Sequence, residues 1–103
     1  MRAERAAPGR EAPDAAASLD RQRIDKWLWH VRVVRTRESA AALVAAGHVR
    51  VNGAKVRAPA APVRRGDVVT VALDRSVRVM RVCGFASRRS GAEDARQLFE
   101  DLA

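Results

Sequence analysis

The dipeptide Asn52-Gly53 constrains the fold of this chain more than any other feature. A two-residue loop whose twist matches paired strands needs positive φ at both central positions, and Asn-Gly adopts that geometry readily. Taken as the loop of AAGHVRVNGAKV, residues 45 to 56, it sets Val51 opposite Ala54, Arg50 opposite Lys55, Val49 opposite Val56 and His48 opposite Arg57. Side chains alternate between the faces of a strand pair. One face is therefore apolar, built from Val49, Val51, Ala54 and Val56, and the other puts Arg50 across from Lys55 with His48 and Arg57 beside them. Like charges directly opposite each other repel, where an opposite-charge pair contributes roughly 0.2 to 1 kcal/mol. A ribbon that keeps such a pair is expected to meet a polyanion on that face.

The distribution of charge supports the same expectation. The formal net charge is +8 over 103 residues. Residues 1–22 hold four basic and four acidic side chains, and residues 66–103 hold six of each. Residues 23–65 hold ten basic side chains against Asp25 and Glu38, so the whole excess sits in one segment. A localised positive field is the footprint expected for nucleic acid, an anionic surface or an acidic protein.

Ahead of the ribbon, Ile24, Trp27, Leu28 and Val31 fall at i, i+3, i+4 and i+7, which predicts a helix with one apolar face and with Asp20 or Asp25 complementing its N-terminal end. Arg23, Lys26 and His30 fall on one flank of it. His30 is expected to be a partly exposed surface residue, with a phosphate contact as the alternative, and Trp29, off the core stripe, is expected to pack against the C-terminal segment, with stacking on a base as the alternative. Thr36 reads as the N-cap of a second helix with Ala40, Leu43 and Val44 facing inward and Gly47 as its left-handed stop. Arg35, Arg37 and Ser39 then sit at the corner of a helix hairpin. After the ribbon, APAAP reads as a loop, RRGD as a turn, and VVTVAL and VRVMRVCGF as strands. The segment SGAEDARQLFEDLA shows a capping box at Ser90 and Glu93 and an apolar stripe of Ala95, Leu98, Phe99 and Leu102, predicting a helix.

Other chemistries find no support. There is no glycine-rich phosphate cradle, no nucleophile elbow and no triad context for the serines. Cys83 is the single cysteine, so no intramolecular disulfide forms, and with His30 and His48 it makes no metal spacing. It is expected to be a small buried hydrophobe. Residues 1–22, rich in alanine, proline and balanced charge, are expected to be a disordered tail. No segment has the roughly 20 apolar residues of a membrane span, and a cytoplasmic, membrane-free protein is expected.

The ordered series Arg23-Ile24-Asp25-Lys26, Arg35-Thr36-Arg37-Glu38-Ser39-Ala40, Gly47-His48-Val49-Arg50-Val51-Asn52-Gly53 and Arg65-Gly66-Asp67 resembles the RNA-binding domain named after ribosomal small-subunit protein four, the alpha-L fold, over residues 23–73. Within it, Asp25-Lys26-Trp27-Leu28-Trp29, Arg35-Thr36-Arg37 and Arg88-Arg89 ahead of a Glu93-containing helix are similar to the heat shock protein 15 family, which extends the likeness from Arg23 to Leu102. Val33 and Val34 stand where relatives often carry aromatic residues, and the chain ends at Phe99-Glu100-Asp101-Leu102-Ala103 where many continue into a basic tail.

The resemblance implies an α+β, alpha-L fold: an N-terminal helix hairpin packed on a small, mostly antiparallel sheet, with a C-terminal helix. It places the RNA-binding domain at residues 23–103, with its core motif at 23–73 and the last strand and helix at 77–102. It further implies a monomeric, non-enzymatic protein without cofactor or metal that binds structured ribosomal RNA, in particular the free large subunit carrying a nascent chain on tRNA. The RNA-facing residues carried over are Arg23, Lys26, Arg35, Thr36, Arg37, Ser39, His48, Arg50, Asn52 and Lys55. For Thr36 and Asn52, roles as cap and turn compete with RNA contact. Two other readings stay open: a module that docks its basic face on an acidic protein, and a stand-alone targeting domain for an RNA-modifying enzyme.

Overall fold

The computed structural model describes residues 20–87 and 91–103. The elements are β1 (Arg21–Arg23), α1 (Ile24–His30), α2 (Arg37–Ala45), β2 (Val49–Val51), β3 (Ala54–Val56), β4 (Pro62–Arg64), β5 (Val68–Ala72), β6 (Val77–Val82), α3 (Ala92–Ala95), a 3₁₀ turn (Arg96–Leu98) and β7 (Phe99–Asp101). The fold is α+β, with the helix hairpin packed beside an antiparallel sheet ordered β3-β2-β5-β6-β7 and a separate pair of β1 with β4. Of the tail expected at residues 1–22, residues 1–19 lie outside the described residues, while Arg21 and Gln22 are not tail but form strand with Arg64 and Val63. Arg88, Arg89 and the Ser90 half of the capping box also lie outside them.

The ribbon forms with the register that Asn52-Gly53 dictates: Val49 pairs with Val56, Arg50 with Lys55 and Val51 with Ala54. Asn52 has φ of 52° and Gly53 of 86°, the two left-handed conformations such a turn requires. Val49 is fully buried, Val51 and Val56 pack against the core, and Ala54, next to the turn, is exposed. The core gathers Ile24, Trp27 and Leu28 from α1, Ala40 and Val44 from α2, and Val69, Val71, Met80 and Val82 from the sheet.

Neither helix of the hairpin is long enough to be stable alone, and both depend on this packing. Both end in the same way. Gly47 N–H donates to Val44 O and His48 N–H to Leu43 O at the end of α2, while Arg32 N–H donates to Trp29 O and Val33 N–H to Leu28 O at the end of α1. These paired bonds need a left-handed residue just past each helix; it is Gly47 at φ 85° in one case and Arg32 at φ 66° in the other. The start of α1 is held from outside: Ile24 N–H donates to Ala61 O at 2.8 Å and Asp25 N–H to Pro59 O at 3.2 Å. The loop that precedes β4, at the expected APAAP segment, supplies those carbonyls.

Two further expectations are corrected. The C-terminal helix is confined to one turn, Ala92–Ala95, with Gly91 as its N-cap, and Phe99–Asp101 forms an edge strand instead. The open edge of β6 offers a ladder that the helical stripe cannot match. Phe99 pairs with Val82, Glu100 with Arg81 and Asp101 with Met80, and Cys83 N–H and Gly84 N–H both donate to Leu98 O. Cys83 is exposed rather than buried, because Val82 before it points into the core and alternation turns the next side chain outward. Trp27 Nε1 donates to Gly84 O at 3.1 Å, and Trp29 is half-buried, its ring 5.2 Å from that of His30.

Candidate nucleic-acid interface

The helix corner is built by Thr36. Its extended backbone, φ −130° and ψ 156°, lets Oγ1 accept from Ser39 N–H at 3.0 Å, and the same hydroxyl donates to Ser39 Oγ at 2.9 Å. That cap sets the first turn of α2 and so the origin of Arg37. Facing it, the first turn of α1 holds Asp25, whose side chain is only 3% exposed. Arg23 grips this carboxylate with a two-point fork, Nε to Oδ1 at 3.1 Å and Nη2 to Oδ2 at 2.9 Å. Oδ1 also accepts from Lys26 N–H at 2.7 Å, and Arg37 Nε stands 3.9 Å from Oδ2. Arg23 and Arg37 are thereby brought together around one buried carboxylate while staying 48% and 42% exposed. Lys26 is half-buried beside them and Arg35 is exposed on the connecting turn.

On the ribbon, Arg50 and Lys55 lie directly opposite each other and both are exposed. Part of their repulsion is deflected, since Arg50 Nη1 donates to Gly53 O at 3.2 Å. Lys55 and Arg57 run back across the end of α2. A methyl group added to Gly47 would stand 3.3 Å from Arg57 Nη1 and 3.4 Å from Lys55 Cδ, so the glycine makes room for both cations. His48, two residues before Arg50 on the chain, is exposed.

An open groove of about 890 Å³ lies between the start of α2 and the foot of the ribbon, with Asp74 and Arg75 also in its lining. Ser39 from the helix corner and His48 from the foot of the ribbon both line it, over a floor that includes Val34, Leu43 and Leu73. Asn52 is the expected site residue whose polar atoms are committed elsewhere. Its Nδ2 donates to Asp67 Oδ1 at 3.1 Å and its Oδ1 accepts from Val68 N–H at 2.9 Å. Thr36 is likewise engaged as the cap.

His30 departs from expectation: it is 1% exposed, because the seven-residue helix turns its last residue into the core side of the hairpin. Asp25 was legible in the sequence as a complement to the N-terminal end of α1 and as one of two acids in a segment with ten cations, whereas its contacts with Arg23 and Arg37 were not. The arginines of the last strands are occupied. Arg78 pairs with Asp101 at 3.1 Å and stacks on Phe99, and Arg81 pairs with Glu100 at 2.7 Å; in the turn between β4 and β5, Arg65 lies over Phe85. Among the described residues there is no cluster of potential metal ligands and no helix long and apolar enough to cross a membrane.

Comparison with known proteins agrees with this architecture. Residues 22–69 match the S4 domain family. The heat shock protein 15 homolog of Aeromonas salmonicida is 32% identical over 89 residues, covering 86% of this chain and 67% of that protein. Heat shock protein 15 of Escherichia coli strain K12 is 31% identical over 81 residues, 79% of this chain and 60% of its own length. A trimeric structure of Vibrio cholerae heat shock protein 15 superposes with a TM-score of 0.75 at 31% identity, covering 82% of this chain and 84% of the other. The chain thus spans 60 to 67% of the length of these two curated relatives.

Proposed function

Because this chain belongs to the heat shock protein 15 family and carries an S4 domain, an RNA-binding fold, we propose that it holds structured ribosomal RNA of the large subunit on the surface running from Arg23 and Arg37 to Arg50 and Lys55. Lys26, Arg35, Ser39 and His48 complete the contact surface, and Thr36 and Asn52 hold its frame. The observation that carries this reading is the exposure of Arg50 and Lys55 opposite each other on the ribbon, and what supports its extension to the helix corner is the groove that Ser39 and His48 both line. A phosphate backbone laid over Arg50 and Lys55 turns their mutual repulsion into a common attraction.

The chemistry favours folded over single-stranded RNA. The described surface offers guanidinium, ammonium and hydroxyl groups suited to phosphates and 2′-hydroxyls, whereas an aromatic platform for unstacked bases is not part of it. The role is binding without catalysis, in the cytoplasm, on large subunits that retain a nascent chain on tRNA, in translation quality control under stress.

Competition binding tests this. Labelled large-subunit RNA fragments are expected to be displaced by unlabelled structured RNA and not by an acidic protein, with a log K against log salt slope of roughly −4 for about five phosphate contacts. Sedimentation against separated subunits is expected to place the protein with the large one. Displacement by acidic protein, or co-sedimentation with the small subunit, would overturn the assignment. Sedimentation of the free protein distinguishes the expected monomer of 11.3 kDa from a trimer like that of the V. cholerae relative.

A further inference from the structure

An acid beside a surface for RNA repels phosphate, so Asp25 calls for an explanation. It is one of two acids in the cationic segment, it is buried, and it accepts hydrogen bonds from Arg23 and from its own helix while Arg37 stands within ion-pairing distance. Burial of a carboxylate is costly unless its partners are well placed. Here those partners are two residues assigned to the RNA surface.

A guanidinium has five N–H donors in a rigid plane. Arg23 spends its Nε and one face of Nη2 on the carboxylate, which leaves Nη1 directed away from the fork, on a side chain that is about half exposed. Arg37 approaches the same carboxylate through Nε, so its terminal nitrogens are the end left for another acceptor. Long side chains lose considerable rotamer freedom when they bind, and a guanidinium already oriented loses less.

We propose that Asp25 is a positioning residue for RNA recognition, a buried anchor that fixes Arg23 and Arg37 with their outer N–H groups directed at the same stretch of phosphate backbone. This rests on the reading that the chain binds structured RNA through that surface. The alternative is simple charge cancellation, in which Asp25 only weakens the field of its two neighbours. The two ideas differ in sign.

Asp25→Asn keeps an oxygen for Lys26 N–H and removes the anion. Charge cancellation alone predicts tighter RNA binding and a salt slope as steep as before or steeper. Anchoring predicts affinity weaker by about fivefold or more at moderate salt and a slope shallower by about 1.4 to 1.8, the loss of two phosphate contacts. Nitrogen-15 spectra of the folded protein supply a second readout: the Nε–H signal of Arg23, which donates to Asp25 Oδ1, is expected to be protected from exchange in the wild type and less so in Asp25→Asn.

If Asp25→Asn does not fold, Arg23→Lys decides, because it preserves the charge but not the fork. Weaker binding at unchanged net charge supports the anchor, and wild-type affinity overturns it. Wild-type protein that ignores structured RNA overturns the functional reading and the anchor with it. Wild type that binds, while Asp25→Asn binds equally or more tightly, overturns the anchor alone.

Discussion

Asn52 donates from Nδ2 to Asp67 Oδ1 at 3.1 Å, which ties the ribbon turn to the turn between β4 and β5. Asp67 in turn accepts the backbone N–H of Arg64 through Oδ2 at 2.8 Å. Asn52→Ala removes both side-chain bonds of Asn52 and leaves a Cβ residue at φ 52° without local compensation. The expected loss is about 2 kcal/mol of unfolding free energy. Asn52→Gly tolerates the backbone and is expected to lose about half as much. Urea unfolding checks the stability, and an unchanged RNA salt slope checks that Asn52 frames the surface without touching phosphate. A slope shallower by about one contact would return it to the contact set.

Arg50 and Lys55 face each other across the same ribbon, and Arg50→Glu replaces a repelling pair with an attracting one. Stability is expected to hold or rise by roughly 0.2 to 1 kcal/mol. RNA affinity is expected to fall by about tenfold or more, since a phosphate contact becomes a repulsion. Arg37→Ala is expected to weaken binding in the same direction with the fold intact. Thermal unfolding together with RNA titration separates the two effects, and unchanged RNA affinity in Arg50→Glu would remove the ribbon from the interface.

The parts of the fold that the sequence made legible are those with local causes. Asn52-Gly53 specifies its own φ values and hence the pairing of Arg50 with Lys55, and Thr36 caps α2 through an atom three residues from its partner. What was illegible depends on distant partners. Ala95, Leu98, Phe99 and Leu102 have helical spacing, but whether Phe99 continues a helix or joins β6 depends on an open ladder 17 residues upstream at Val82. Cys83 and His30 were misplaced for a related reason, since exposure at the end of an element follows from what covers it. In the site, the cations were legible as a group, whereas the meeting of Arg23 with Arg37 around Asp25 requires the helix hairpin to be closed.

Arg81 provides the negative control for the charge argument. It is exposed and cationic, as Arg50 is, but it pairs with Glu100 at 2.7 Å across β6 and β7. Arg81→Ala changes net charge by the same amount as Arg37→Ala. It is expected to shift stability by less than about 1 kcal/mol, the usual value of an exposed pair, and to leave the RNA salt slope unchanged. A loss of affinity equal to that of Arg37→Ala would mean that total charge, rather than its placement, governs binding.

Val49 and Arg50 are neighbours with opposite fates, and a pair of substitutions exploits that. Val49 is fully buried on β2, which runs between β3 and β5 and pairs Val49 with both Val56 and Val71. Val49→Asp places a carboxylate in an apolar core with no cation to meet it, at a cost of several kcal/mol in a domain whose total stability is on the order of 5 to 15 kcal/mol. It is expected to abolish cooperative unfolding and the near-ultraviolet signal of buried Trp27. Arg50→Asp, one position along, is expected to fold. Because strand side chains alternate, a slip of one residue in the ribbon would exchange these two results. Circular dichroism of the two variants therefore reads the register itself: a folded Val49→Asp beside an unfolded Arg50→Asp would turn the basic face into the core face.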